Sequence, residues 1–120
     1  FLAKYPDQSE PKVDAYLDVV TVGYGYVAVG IGAGAPYRPY YSIKAQLVSA
    51  KDGALLMQDS IIFNAIGPTG MTGIEAVTIS PNAQPLYTTF DALVADPKGA
   101  AEGLRIATRQ TAEAVGRLLR

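Results

Sequence analysis

The stretch that decides the fold runs from Tyr40 to Ile66. It reads Tyr40-Tyr-Ser-Ile-Lys-Ala-Gln-Leu-Val-Ser-Ala50, then Lys51-Asp52-Gly53, then Ala54-Leu-Leu-Met-Gln-Asp-Ser-Ile-Ile-Phe-Asn-Ala-Ile66. Two β-prone runs flank a short turn. Gly53 suits the positive φ that such a turn needs, and Asp52 suits a side-chain bond to its own backbone there. In the first run Ile43, Ala45 and Leu47 fall on one face, with Ser42, Lys44 and Gln46 on the other, the pattern of a half-buried strand. The second run, Leu55 to Ile66, is apolar on both faces apart from Gln58, Asp59, Ser60 and Asn64, which predicts an interior place in a sheet.

Upstream, Val13 to Val29 alternates with period two and is rich in β-branched and aromatic residues, so it predicts a long strand. Simple alternation sets Val13, Ala15, Leu17, Val19 and Thr21 on one face. It sets Asp14, Tyr16, Asp18, Val20, Val22, Tyr24 and Tyr26 on the other. Gly23 and Gly25 interrupt the pattern, and a bend, bulge or close crossing is expected there. Phe1 to Lys12 is polar, holds Pro6 and Pro11, and reads as a lead-in loop.

Downstream, Gly67 to Gly73 reads as a glycine-rich loop, Ile74 to Ser80 as a short fourth strand, and Pro81 to Pro85 as its end. Thr88 with Asp91 three residues later resembles a capping box and predicts a short helix to Ala95. Asp96-Pro97 supplies an N-cap and a first-turn proline for a final helix reaching about Leu119. Its apolar stripe is Leu104, Ala107, Thr111, Val115 and Leu118, widened by Ala100, Ala101, Ala114 and Leu119. Arg105, Arg109, Arg117 and Arg120 lie largely outside it, the usual pattern of a solvated face.

Several chemistries fall away. The chain has no His and no Cys, so imidazole triads, thiol nucleophiles, disulfides and zinc clusters have no residues to build them. Ser9-x-x-Lys12 has the spacing of a serine acyl-enzyme pair, but that chemistry needs one helix turn, and Pro11 stands inside it. Gly30, Gly32 and Ala35 satisfy G-x-G-x-x-A after a strand, yet Pro36 and Pro39 stand where a phosphate-binding helix would start. Tyr40 and Lys44 share the Tyr-x-x-x-Lys spacing of short-chain dehydrogenases, which on a strand holds the two side chains too far apart to cooperate. Asp14 and Asp18 would lie about 13 Å apart along a strand, beyond the usual range of a glycosidase pair. Ten basic against eleven acidic residues leave a formal charge of -1, which favours neither nucleic acid nor an anionic membrane. No apolar run reaches the ~18 residues of a membrane span.

What remains is a surface. If the first two strands pair, Tyr24, Tyr26, Tyr37, Tyr40 and Tyr41 gather with Arg38 at one end of the sheet. Tyrosine offers large apolar area with a polar handle, so these six residues are the expected ligand or partner surface. The bland account of the same tyrosines is cross-strand pairing that stabilises the sheet.

Leu47-Val-Ser-Ala-Lys-Asp-Gly53-Ala-Leu-Leu56 resembles the "Leu-Val-Asp-Ala-x-Thr-Gly-x-Val-Leu" hairpin of bacterial envelope lipoproteins of the curli-secretion lipoprotein and TolB amino-terminal-domain-like group. Val13-Asp-Ala-Tyr-Leu-Asp-Val19 looks like the strand that often precedes it, and Ala100 to Leu119 falls where that group places its closing helix. The match departs at Ser49 and Asp52, where the group more often shows Asp and Thr. The resemblance implies a non-catalytic, commonly oligomeric assembly or scaffold domain in the bacterial periplasm or outer membrane. Because the first residue is Phe1, any signal segment or lipid-bearing Cys is expected upstream.

The expected fold is α+β: one domain over residues 1–120, with a lead-in loop (1–12), strands (13–80) and helices (88–119). Three or four mainly antiparallel strands with a long central hairpin carry the carboxyl-terminal helix on one face. The expected function is assembly or protein interaction through a protein partner or self-association, with no cofactor, metal, catalytic residue or nucleic acid, and a membrane reached only through an upstream lipid anchor. The alternative is a periplasmic small-ligand or peptide-binding module using the tyrosine-rich end. An enzyme would have to draw on Asp14, Asp18, Asp59 or Glu75.

Overall fold

A computed structural model describes residues 1–6, 13–28, 36–65, 76–81 and 83–120. The fold is α+β, with β1 (Ala15–Ala28), β2 (Tyr37–Ser49), β3 (Leu55–Phe63), β4 (Ala76–Ile79), α1 (Phe90–Val94) and α2 (Pro97–Leu118) in that order. The strands form one sheet in the order β1-β2-β3-β4. β1 and β3 both run antiparallel to β2, whereas β4 lies parallel to β3. The sheet is thus mixed but mainly antiparallel, and β3 takes the interior place that its two-sided apolar pattern requires.

The β2–β3 turn follows from its residues. Gly53 adopts φ 72°. Its N–H donates to the Ser49 carbonyl at 3.0 Å, and the Ser49 N–H donates to the Ala54 carbonyl at 2.8 Å. Asp52 Oδ1 accepts from the Ala54 N–H at 3.0 Å. A side chain at position 53 would have to adopt a backbone conformation costing about 1–2 kcal/mol.

α2 packs on one face of the sheet. Ile43 and Ile61 meet Ala114 and Val115 there, with Tyr41, Val77, Ile79 and Leu118 packed around them. Each large aliphatic side chain fully buried in such a layer contributes about 1.5–3 kcal/mol. Asp96 caps α2 by accepting from the Gly99 N–H at 3.1 Å, and Pro97 opens it. α1 is capped by Thr89, not by Thr88: Thr89 is extended, and its Oγ1 accepts from the Ala92 N–H at 3.1 Å. Asp91 therefore lies in the first turn, where it meets the positive end of the helix dipole; the capping box expected at Thr88 and Asp91 does not form.

Simple alternation fails in β1 at one point. The register slips between Thr21 and Gly23, so Val22 is an extra residue. Before the slip Thr21 stands opposite Ile43, and after it Tyr24 stands opposite Tyr41 and Tyr26 opposite Pro39. Because a strand's side chains alternate, one extra residue moves everything beyond it to the other face. Tyr24 and Tyr26 consequently share the helix-bearing face with Leu17, Val19 and Thr21, not the opposite face that period two assigned. Gly23 now lies on the far side, where a Cβ would come within 2.7 Å of the Tyr40 ring.

The start of the chain is irregular, as expected, but it is docked. Asp18 Oδ2 accepts from the Leu2 N–H at 2.8 Å and from the Tyr5 hydroxyl at 2.6 Å. Gln46 Nε2 donates to the Tyr5 hydroxyl at 2.6 Å, and the Tyr5 ring stacks on Tyr16 at 5.5 Å. Residues 1–6 therefore lie on the face opposite α2. The Ser9-x-x-Lys12 spacing, the glycine run before Pro36, the loop read over Gly67 to Gly73, and Ile74 and Glu75 of the expected fourth strand lie outside the described residues.

Candidate interaction site

α2 runs over β2 and β3 and meets β1 near Tyr24 and Tyr26, leaving Leu17 and Val19 of β1 exposed. The helix can approach the sheet closely because of Gly103. A Cβ there would overlap the Tyr26 hydroxyl and come within 2.9 Å of the Pro39 ring. The Tyr26 hydroxyl uses that closeness to donate to the Ala100 carbonyl at 2.8 Å. Burial, followed by the nearby Tyr87 and Asp96, pushes the Tyr26 hydroxyl up to about 12. This tyrosine is a clamp between β1 and α2.

Along the flank of α2 that faces β1 runs an open trough. One end is an apolar hollow of about 370 Å³, floored by Leu17, Val19 and Ile43 and walled by Val115 and Leu119. The other end is a hollow of about 570 Å³ between Tyr24 and the α2 residues Leu104, Arg105 and Arg109. Thr108 borders both. Ile43 and Val115 are buried, but four other apolar side chains on this path are open to solvent: Leu17 is 43% exposed, Val19 45%, Tyr24 58% and Leu119 43%. At the charged end Arg105 pairs with Glu102 at 2.7 Å, a solvated contact worth well under about 1 kcal/mol. In the wall, Thr111 is buried and its hydroxyl has no hydrogen-bond partner among the described residues.

The six surface residues read from the sequence are divided. Tyr24 and Tyr41 do meet, edge to face at 5.4 Å, on the helix side. Tyr26 lies on the same side but packs against Tyr87 at 5.7 Å and is held to α2. Tyr37 pairs its backbone with Tyr87 and tilts its ring against Phe90 at 6.3 Å. By strand alternation Arg38 and Tyr40 belong to the opposite face, where the Tyr40 ring covers Gly23. Arg38 Nε is buried without a hydrogen-bond partner among the described residues. All six stand at the end where β1 finishes and β2 begins, yet they form no single surface: Tyr24 and Tyr41 line the trough and the other four do not.

Sequence reasoning passed over Leu17, Val19 and Leu119 as site residues. The signal was present in the stripe of α2, which is wider than its core contacts: Ala107, Thr111, Ala114 and Val115 are buried, while Leu119 and Ala101 remain exposed. Of the acids, Asp18 is occupied on the far face. The Tyr5 hydroxyl, and next the Leu2 N–H, hold its carboxyl below the ordinary aspartate range, opposite to the upward shift that suits a general acid near neutral pH. Asp52 is lowered by the Ala54 N–H in the turn. Among the described residues no three acidic side chains stand close enough to hold a metal ion, and no helix is long and apolar enough to cross a membrane.

No protein-family profile, curated protein or solved structure matches this chain.

Proposed function

We propose that this chain is a non-catalytic interaction domain that works in assembly or scaffolding by docking protein surface into the trough between β1 and α2. The supporting observation is the exposure of Leu17, Val19, Tyr24 and Leu119 in two neighbouring hollows that share Thr108 between β1 and α2. Contiguous apolar surface of this kind marks interaction sites, whereas singly scattered apolar residues do not. Each half-exposed aliphatic side chain forgoes roughly half of the ~1.5–3 kcal/mol that full burial yields, so the strip offers several kcal/mol to a partner that dries it. The resemblance of the hairpin at Leu47 to Leu56 extends the proposal to a bacterial envelope setting, with a lipid anchor carried upstream. A ligand-binding reading would use the same trough, since Tyr26 and Tyr87 spend their hydroxyls on Ala100 and Asp96.

Crosslinking of the full-length protein in its own cells tests the proposal. A photoreactive residue at Leu17 or Val19 is expected to capture protein, and the same residue at Lys51, on the hairpin turn, is not. Equal labelling at both places would overturn it. An intact mass carrying a lipidated cysteine tests the envelope part separately, and a soluble, unlipidated protein would remove it.

A further inference from the structure

The outer edge of β1 has no strand beside it among the described residues. In an antiparallel ladder every second residue of an edge strand points its N–H and C=O away from its one neighbour. Soluble proteins blunt such edges with lysines, prolines, bulges or a covering segment, because an open edge pairs with any strand it meets. β1 is 14 residues long and contains no Lys, Arg or Pro. Its one charged side chain, Asp18, turns to the Leu2 N–H and the Tyr5 hydroxyl. The bulge after Thr21 breaks only the second half, and the register from Ala15 to Thr21 is regular.

Building on the interaction reading above, we infer that the partner is a second copy of this chain, joined through Ala15–Thr21 of β1 to the same segment running antiparallel. An open antiparallel edge is complementary to itself, since a two-fold axis sets each outward N–H against an outward C=O of the other copy. The axis must pass through a residue, not between two, because a shift by one would set outward groups against inward ones and put the helices on opposite faces. An axis at Val19 sets Asp18 opposite Val20 and keeps the two carboxylates from facing each other, which like charges disfavour. The strand order becomes β4-β3-β2-β1-β1-β2-β3-β4, with both α2 helices on one face. The two troughs then merge, and Leu17 and Val19 of both copies form one apolar floor between the helices. A stable interface needs roughly 1,200–2,000 Å². A second copy counts the exposed strip twice and adds main-chain pairing to it.

The chain lacks cysteine, so single-cysteine variants at each position from Ala15 to Thr21 report the pairing cleanly. With a short bis-thiol crosslinker the dimer yield is expected to be highest at Val19 and to fall on both sides. In the unmodified chain, amide exchange along Ala15–Thr21 is expected to slow by about tenfold or more from dilute to concentrated solution, by mass action. A dimer with uniformly low crosslinking along β1 and no such slowing would overturn pairing at this edge and leave the interaction reading intact. A chain that sediments as a monomer at every concentration would overturn self-pairing, and the crosslinking at Leu17 and Val19 in cells then decides separately whether a different protein occupies the trough.

Discussion

Asn64 directly follows β3 with φ 57°, the only non-glycine residue described with a positive φ. It is buried; its side-chain amide donates to the Pro39 carbonyl at 2.7 Å and to Gln84 Oε1, and its own N–H donates to the Ile79 carbonyl at 2.9 Å. One residue thus ties β2, β4 and the segment before α1 together. Asn64→Ala keeps the left-handed strain, about 1–2 kcal/mol for a residue with a Cβ and no local bond, and loses side-chain bonds worth about 1 kcal/mol each. Urea denaturation is expected to show a loss of about 2–4 kcal/mol. Tyr26 makes a second prediction. With its hydroxyl pushed up to about 12 from the ordinary 10.0, the folded chain keeps a proton that the unfolded chain has lost. Its contribution is complete below pH 10 and disappears as pH rises through about 12. Tyr26→Phe should cost about 1 kcal/mol near neutral pH for the missing bond to Ala100 and should make the alkaline loss of stability shallower in denaturation curves taken at rising pH. An unchanged alkaline limb would contradict this account of Tyr26.

At the scale of elements, local chemistry was legible and long-range consequence was not. Asp52 and Gly53 specify their turn from within it, and Asp96 with Pro97 specify the start of α2, because each needs only residues a few positions away. The bulge was legible at Gly23 and Gly25, but its effect was not: the parity of Tyr24 and Tyr26 depends on one extra residue, Val22, whose place is fixed by pairing with β2. The six-residue surface came apart by alternation within β2, which puts Arg38 and Tyr40 on one side and Tyr37 and Tyr41 on the other, and the bulge moved Tyr24 and Tyr26 to join the latter pair. Tyr5 reaches Asp18 and Gln46 across distances in sequence that no periodicity records. Gly103 was not singled out in the sequence, yet a Cβ there would overlap the Tyr26 hydroxyl and crowd the Pro39 ring, so its small size lets α2 lie close to β1 and β2. Thr111 carries the prediction at this scale. Its hydroxyl is buried without a partner among the described residues, while the exposed Thr108 returns its own to the Leu104 carbonyl at 2.8 Å. An unsatisfied buried hydroxyl costs about 1–3 kcal/mol, so Thr111→Val, which keeps the shape, is expected to raise the denaturation midpoint. A lowered midpoint would mean that the hydroxyl is satisfied in solution.

At the scale of the whole molecule, the helix layer is narrower than the sheet. α2 covers β2, β3 and part of β4 and leaves Leu17 and Val19 of β1 exposed; among the described residues β1 is at once the longest strand, an edge and part of the floor of the apolar trough. A fold that leaves its longest described strand at an open edge is suited to association, and the proposal is that this association runs through β1. The most direct measurement is sedimentation equilibrium of the full chain beside Val19→Lys, a substitution that places a solvated charge on an edge, as soluble proteins do to prevent pairing. The unmodified chain is expected to rise with concentration from 12.7 kDa toward twice that mass, and the variant to stay at the mass of one chain with an unchanged circular dichroism spectrum. The same mass for both proteins at every concentration would contradict the claim.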